Sequence, residues 1–176
     1  MLRPKAKDNF RKLFNAIFWL ILIAVIIQRV PLWLQQREFI GKQLKPASLI
    51  DPSGAPITLP PNDGAPSLLV FWATWCGPCK LELARLKSAA ENLEIDPRRV
   101  FLISSEEDAQ LIHSTVKDRG YPFVSLQDKT LDLARSLKVI ATPTLAFIEK
   151  DGKLRELSTG MSPLTVAHAK DLIGIK

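Results

Sequence analysis

The chain has 176 residues, of which 47% are hydrophobic and 24% charged, with a formal net charge of +6. This length holds one ordinary domain plus additional segments, and the composition excludes wholesale disorder. Residues 1–45 carry nine Lys or Arg against two acids, net +7, whereas residues 46–176 carry fifteen against sixteen, net −1. A neutral main body has no basic field to hold a phosphate backbone, so no nucleic-acid partner is expected.

The positive charge opens the chain: Arg3, Lys5, Lys7, Arg11 and Lys12 stand against Asp8 alone in residues 1–12. The run LFNAIFWLILIAVII, Leu13 to Ile27, is interrupted only by Asn15. It falls short of the roughly 20 residues that cross a bilayer core. Snorkelling of Lys12 and Arg29 lengthens the usable stretch to Leu13–Val30, about 27 Å as a helix, and Pro31 disfavours continuation. The expected organisation is a cytoplasmic tail over 1–12, a single transmembrane anchor in lipid over 13–30, and a juxtamembrane linker over 31–45 with a short helix. A cleaved secretory signal is the rival reading, but QRVPLWLQQ offers no small-x-small cleavage site. The basic tail stays inside, so the remainder is expected on the extracytoplasmic, periplasmic side.

Six prolines and two glycines between Pro46 and Pro66 exclude a helix there, and SLI and PITL around DPSG predict a hairpin. SLLVFWA (67–73) reads as a strand buried on both faces. Leu81, Ala84, Leu86, Ala89, Ala90 and Leu93 follow at helical spacing, with Pro97 closing the segment. VFLIS (100–104) is a second buried strand, and a helix is expected from about Ser105 to Arg119, stopped by Gly120. YPFVSL is a short extended piece and TLDLARSLK a short helix. TLAFIEK, the Asp151–Gly152 turn and LRELST form an antiparallel pair. Ser162–Pro163 starts a last helix ending near Ile173. Strands and helices in this order predict an α/β domain over 46–176, a mixed sheet covered by helices.

Both cysteines lie in FWATWCGPCK, residues 71–80. Cys76 follows a buried strand where a helix should begin, and unpaired N–H groups and the helix dipole stabilise a thiolate there. Cys79, three residues on, lies within disulfide reach but deeper in the helix. Cys76 is therefore expected to be the exposed nucleophile and Cys79 the resolving thiol.

FWATWCGPC, with TPT at 142–144, resembles the membrane-anchored TlpA/ResA/DsbE group of thioredoxin-like proteins over about residues 46–176. The resemblance implies a thioredoxin-like fold with an N-terminal β-hairpin, and a redox-active Cys76–Cys79 disulfide with no metal or other cofactor. It implies that Pro143 is cis and forms a platform for the substrate, whose backbone pairs beside Thr142. Trp75, Gly77 and Pro78 complete the client-binding surface. Glu82 matches a glutamate credited in that group with tuning the thiols; its other reading is a surface partner for Arg85. Val70 stands where cytoplasmic thioredoxin has a buried aspartate, and Ala84 where group members carry a helix-kinking proline, so a straighter helix is expected.

Trp72 reads as packing, His113 and His168 as surface residues, and Glu106, Glu107 and Asp108 as helix-start charges. The function expected is a membrane-tethered thiol–disulfide oxidoreductase. CGPC favours reduction, since thioredoxin lies near −270 mV and the oxidant DsbA near −120 mV. The resemblance suggests a DsbD- or CcdA-like electron donor. It also suggests cysteine-containing clients, in cytochrome c-type biogenesis or copper-site maturation. The same two thiols also suit an oxidant or isomerase, or a Cu(I)-binding assembly factor.

Overall fold

The computed structural model describes residues 11–12, 14–25, 27 and 39–175. Two compact units divide the chain, residues 1–39 and 40–176. In the first, the described residues between 11 and 27 are helical. The continuous described stretch, 14–25, spans only about 18 Å at 1.5 Å per residue. Among the described residues, no helix is long and apolar enough to cross a membrane. The ends expected to complete the anchor, residues 13 and 28–30, lie outside the described residues, as do residues 31–38 of the linker.

The second unit is built on a seven-stranded mixed sheet. Its strands are β1 (Ala47–Ile50), β2 (Pro56–Leu59), β3 (Ser67–Phe71), β4 (Val100–Ser104), β5 (Val124–Gln127), β6 (Thr144–Ile148) and β7 (Leu154–Thr159), in the order β2-β1-β5-β4-β3-β6-β7. The three central strands β5, β4 and β3 are parallel, and the flanking strands pair antiparallel. Four helices accompany them: α1 (Gly77–Glu91), α2 (Ala109–Asp118), α3 (Asp132–Ser136) and α4 (Thr165–Ile173). The apolar runs of β3, β4 and β6 are buried along their whole length, as strands covered on both faces must be. Leu68, Val70, Leu102 and Phe147 share one face and form a single cluster with Leu83 and Leu86 of α1, Ile112 of α2 and Ala169 of α4.

Several boundaries differ from those the sequence predicts. The buried stripe of α1 is Cys79, Leu83, Leu86 and Ala90, with Glu82 and Ala89 beside it, while Leu81, Ala84 and Leu93 are exposed. Its phase follows from Cys79, which must face inward. The helix ends at Glu91 and Leu93 takes a positive φ of 58°. Pro97 instead opens a 3-10 turn over Pro97–Arg99, capped by Asp96. With Ala84 in place of proline, α1 runs unbroken for 15 residues. The second helix begins at Ala109, capped by Asp108, rather than at Ser105. Residues 41–44 are not helical: they pair with the β6–β7 turn through Gly41 N to Leu154 O (2.7 Å), Leu154 N to Lys42 O (3.0 Å) and Leu44 N to Gly152 O (3.0 Å).

Leu102 lies at the centre of the sheet, fully buried between Val70 and Ser125 on the neighbouring strands. Leu102→Ala is expected to lower unfolding free energy by about 3 kcal/mol through lost burial and a residual cavity. Urea denaturation checks this, with the midpoint falling and the slope unchanged.

Candidate active site

Strand β3 delivers the chain to the edge of the sheet, where residues 72–76 turn into α1. The turn is closed by Cys76 N donating to Ala73 O (3.1 Å). Cys76 is the N-cap of α1, and its Sγ accepts the backbone N–H of Cys79 at 3.2 Å. Gly77 and Pro78 occupy the first helical positions, where the missing proline N–H costs nothing. Cys76 and Cys79 form a disulfide of 2.04 Å.

The expected order of depth holds, but not the expected exposure. Cys76 is 3% exposed and Cys79 fully buried, and both belong to the hydrophobic cluster beneath the sheet edge. Trp75, in contrast, is 75% exposed and forms the rim, whereas Trp72 is buried and packs edge-on against Tyr121. Gly77 is exposed, and a Cβ there would meet nothing within 4 Å, so the surface beside it is open.

The Thr142–Pro143 peptide is cis, the isomer implied by the family resemblance. Pro143 is buried and its carbonyl accepts Gly160 N at 2.8 Å, while the β3–β6 ladder starts only at Thr144. Thr142 lies ahead of that ladder, on the wall of an open cavity of about 360 Å³ that also touches Trp72, Trp75, Ile103 and Ala134.

Glu82, one helical turn beyond Cys79, is fully buried, which overturns its reading as a surface residue. Arg85 is nevertheless its partner, Nη1 to Oε2 at 3.3 Å, while Glu82 Oε1 has no hydrogen-bond partner. Arg85 also donates to Ser162 O (2.8 Å) and Pro163 O (3.0 Å), fastening α1 to the loop that enters α4. Val70 is wholly buried where an aspartate was the alternative.

Glu106 is no helix-start charge. Its carboxylate accepts Thr74 N (2.8 Å), Thr74 Oγ1 (2.7 Å) and Ser104 Oγ (3.0 Å), joining the loop after β4 to the loop that carries Cys76. The available signal was an acid just beyond a buried parallel strand, at the carboxyl edge where α/β sheets place their sites. Among the described residues, no group of three His, Cys, Asp or Glu side chains converges as a metal site would.

A dithiol at a helix N-cap, on a mixed sheet with the Thr-Pro loop beside it, defines a thioredoxin-like thiol–disulfide oxidoreductase. The AhpC/TSA family matches residues 40–157, and the chain belongs to that family. It is 28% identical over 114 residues to sporulation thiol-disulfide oxidoreductase A of Bacillus subtilis, covering 63% of this chain and 68% of that protein. It is 26% identical over 147 residues to the thiol-disulfide oxidoreductase ResA of Bacillus thuringiensis, covering 82% and 85%. The crystal structure of StoA from Bacillus subtilis superposes with a TM-score of 0.58 at 25% identity, covering 73% of this chain and 96% of that one. A thiol-disulfide oxidoreductase from Bacteroides fragilis shares the fold with a TM-score of 0.64 at 19% identity, covering 75% and 100%.

The histidines lie away from the dithiol motif. His168 is half-exposed and pairs through Nδ1 with Glu156 at 2.8 Å. His113, expected at the surface, is partly buried: Nδ1 meets Ser125 Oγ at 2.9 Å and Nε2 has no partner. Burial holds its imidazole below the ordinary value of 6.5, with Asp51 acting in the opposite direction. Above 6.5, folded and unfolded chains both carry it neutral. As pH falls below that, the unfolded chain protonates first, so stability is lost through the depressed folded value. His113→Gln is expected to flatten the fall in urea midpoint between about pH 7 and pH 5, measured side by side with the parent.

Proposed function

We propose that the protein is a membrane-tethered reductant of exported client disulfides, with its dithiol domain on the extracytoplasmic side. The observation that carries the chemistry is Cys76 Sγ at the N-cap of α1, accepting the Cys79 N–H. A thiolate formed there gains a hydrogen bond and the positive end of the helix dipole. It attacks one sulfur of a client disulfide, forming a mixed disulfide and releasing the other client sulfur as a thiolate. Cys79, deprotonated, then attacks Cys76 Sγ, and the second client sulfur leaves. Two electrons have passed to the client, and the protein holds the Cys76–Cys79 disulfide.

Cys76 is nearly enclosed in the oxidised form, so a client must press an extended segment against the rim. Trp75, Gly77, Pro78 and Thr142 offer that surface, with Pro143 as its floor. Glu82, buried one turn away, tunes the thiols in this reading. A reductant in an oxidising compartment requires resupply, for which a DsbD- or CcdA-like membrane donor is suited. Clients with paired cysteines fit, as in cytochrome c maturation or copper-site assembly. The basic segment 1–12 and apolar run 13–30 support the tether and its orientation.

Direction rests on the CGPC dipeptide, because the roughly 150 mV between thioredoxin and DsbA corresponds to about 7 kcal/mol for two electrons. An equilibrium potential near −270 mV is expected, and one near −120 mV would reverse the assignment. In cells, Cys79→Ser is expected to accumulate mixed disulfides through Cys76, and Cys76→Ser to accumulate none. Mass spectrometry of the trapped species names the clients, and an empty trap rules against the reductase reading.

A further inference from the structure

We propose that Glu106 is a positioning residue for the dithiol, holding the Cys76 thiol less acidic than the helix terminus alone would make it. Strands β3 and β4 are parallel neighbours in register, Phe71 against Ile103, and so end at the same sheet edge. The loop leaving β3 carries Thr74 and Cys76; the loop leaving β4 carries Glu106. Two hydrogen bonds join them, from the main-chain and side-chain donors of Thr74, and Ser104 Oγ at the end of β4 donates a third to the same carboxylate. Paired donors on one residue fix the carboxylate's rotation as well as its place.

The loop that presents Glu106 is itself tied to the sheet. Gln127 Nε2, on buried β5, donates to Glu106 O (2.8 Å) and Glu107 O (3.1 Å), and Glu106 N donates to Ser104 Oγ (3.3 Å). Thr74 in turn precedes Cys76 by two residues, so their Cα atoms are at most about 7 Å apart. The carboxylate is thus fastened to the loop that carries the nucleophile, two residues before it.

All three partners of this carboxylate are neutral donors, so they orient its charge without cancelling it. Charged groups also follow the dithiol on α1. There Glu82 is matched by Arg85, and Lys80 is exposed to solvent. A negative charge fastened to this loop disfavours the Cys76 thiolate, opposing the helix dipole and the Cys79 N–H. A less ionised reduced state is also a less stabilised one. Glu106 therefore acts through Cys76 to keep the pair reducing.

The test uses the full chain in its reduced form. The rate of Cys76 alkylation by iodoacetamide is followed against pH, and the disulfide is equilibrated with glutathione. Glu106→Gln keeps the shape and an acceptor but removes the charge. Its ionisation midpoint is expected to fall by roughly half to one pH unit, raising the thiolate fraction three- to tenfold below the midpoint. Its glutathione equilibrium should shift toward the reduced protein. Glu106→Asp, which retains the charge, should keep a midpoint near the parent's. A midpoint in Glu106→Gln that stays or rises overturns the proposal, as does an equal fall in Glu106→Asp. A lower melting temperature with an unmoved midpoint marks a merely structural residue and overturns it too. If Glu106→Gln does not fold, Glu106→Ser, which leaves room for water on Thr74, is read in the same way.

Discussion

Everything the protein does depends on where one sulfur sits relative to one helix. Cys76 is the residue at which the backbone leaves the extended conformation and α1 begins, and its side chain accepts a hydrogen bond from the first turn. The place of that helix start is set by β3, locked in register between β4 and β6, where a shift of one residue would reverse every side chain. The buried run Ser67–Phe71 is therefore part of the chemistry, although none of its side chains belongs to the dithiol.

Around this sulfur the structure balances opposing influences. The helix terminus and the Cys79 N–H favour a thiolate, while burial in an apolar cluster disfavours one. Two carboxylates stand nearby, each managed differently. Glu82 is enclosed and pairs with Arg85, which simultaneously fastens the loop at Ser162 and Pro163. Glu106 is satisfied by neutral donors on Thr74 and Ser104. The same sheet edge thus combines a nucleophile, its resolving thiol and two acids drawn from different segments of the chain.

The opposite end of the domain has a separate task. The β6–β7 turn receives residues 41–44 as an added edge, with Gln43 Nε2 bonded to Asp151 O at 3.0 Å. Because β6 runs antiparallel to β3, its Thr144 end lies beside Phe71 near the dithiol, and its Ile148 end beside Ser67 far from it. The segment leading into the domain is therefore fastened at the pole away from Cys76.

The sequence by itself determined the α/β class, the hairpin, the central buried strands and the two reactive cysteines. These follow from local signals: apolar runs, turn residues and a spacing of three at a helix start. It misplaced the inward face of α1, counting Leu81, Ala84 and Leu93, because several phases fit an alternation of apolar residues. Leu86, Ala89 and Ala90 were read correctly, and only packing against the sheet selected Leu83 in place of Leu81 and Ala84. It read Glu106 as a helix-start charge, and Glu82 either as a thiol-tuning glutamate or as a surface partner for Arg85. Thr74, far away in the chain, decided the fate of Glu106, whereas Glu82 pairs locally with Arg85, which the loop entering α4 holds in place. Tertiary structure alone decides such contacts, because a hydrogen bond between residues 32 positions apart leaves no periodic trace in the sequence.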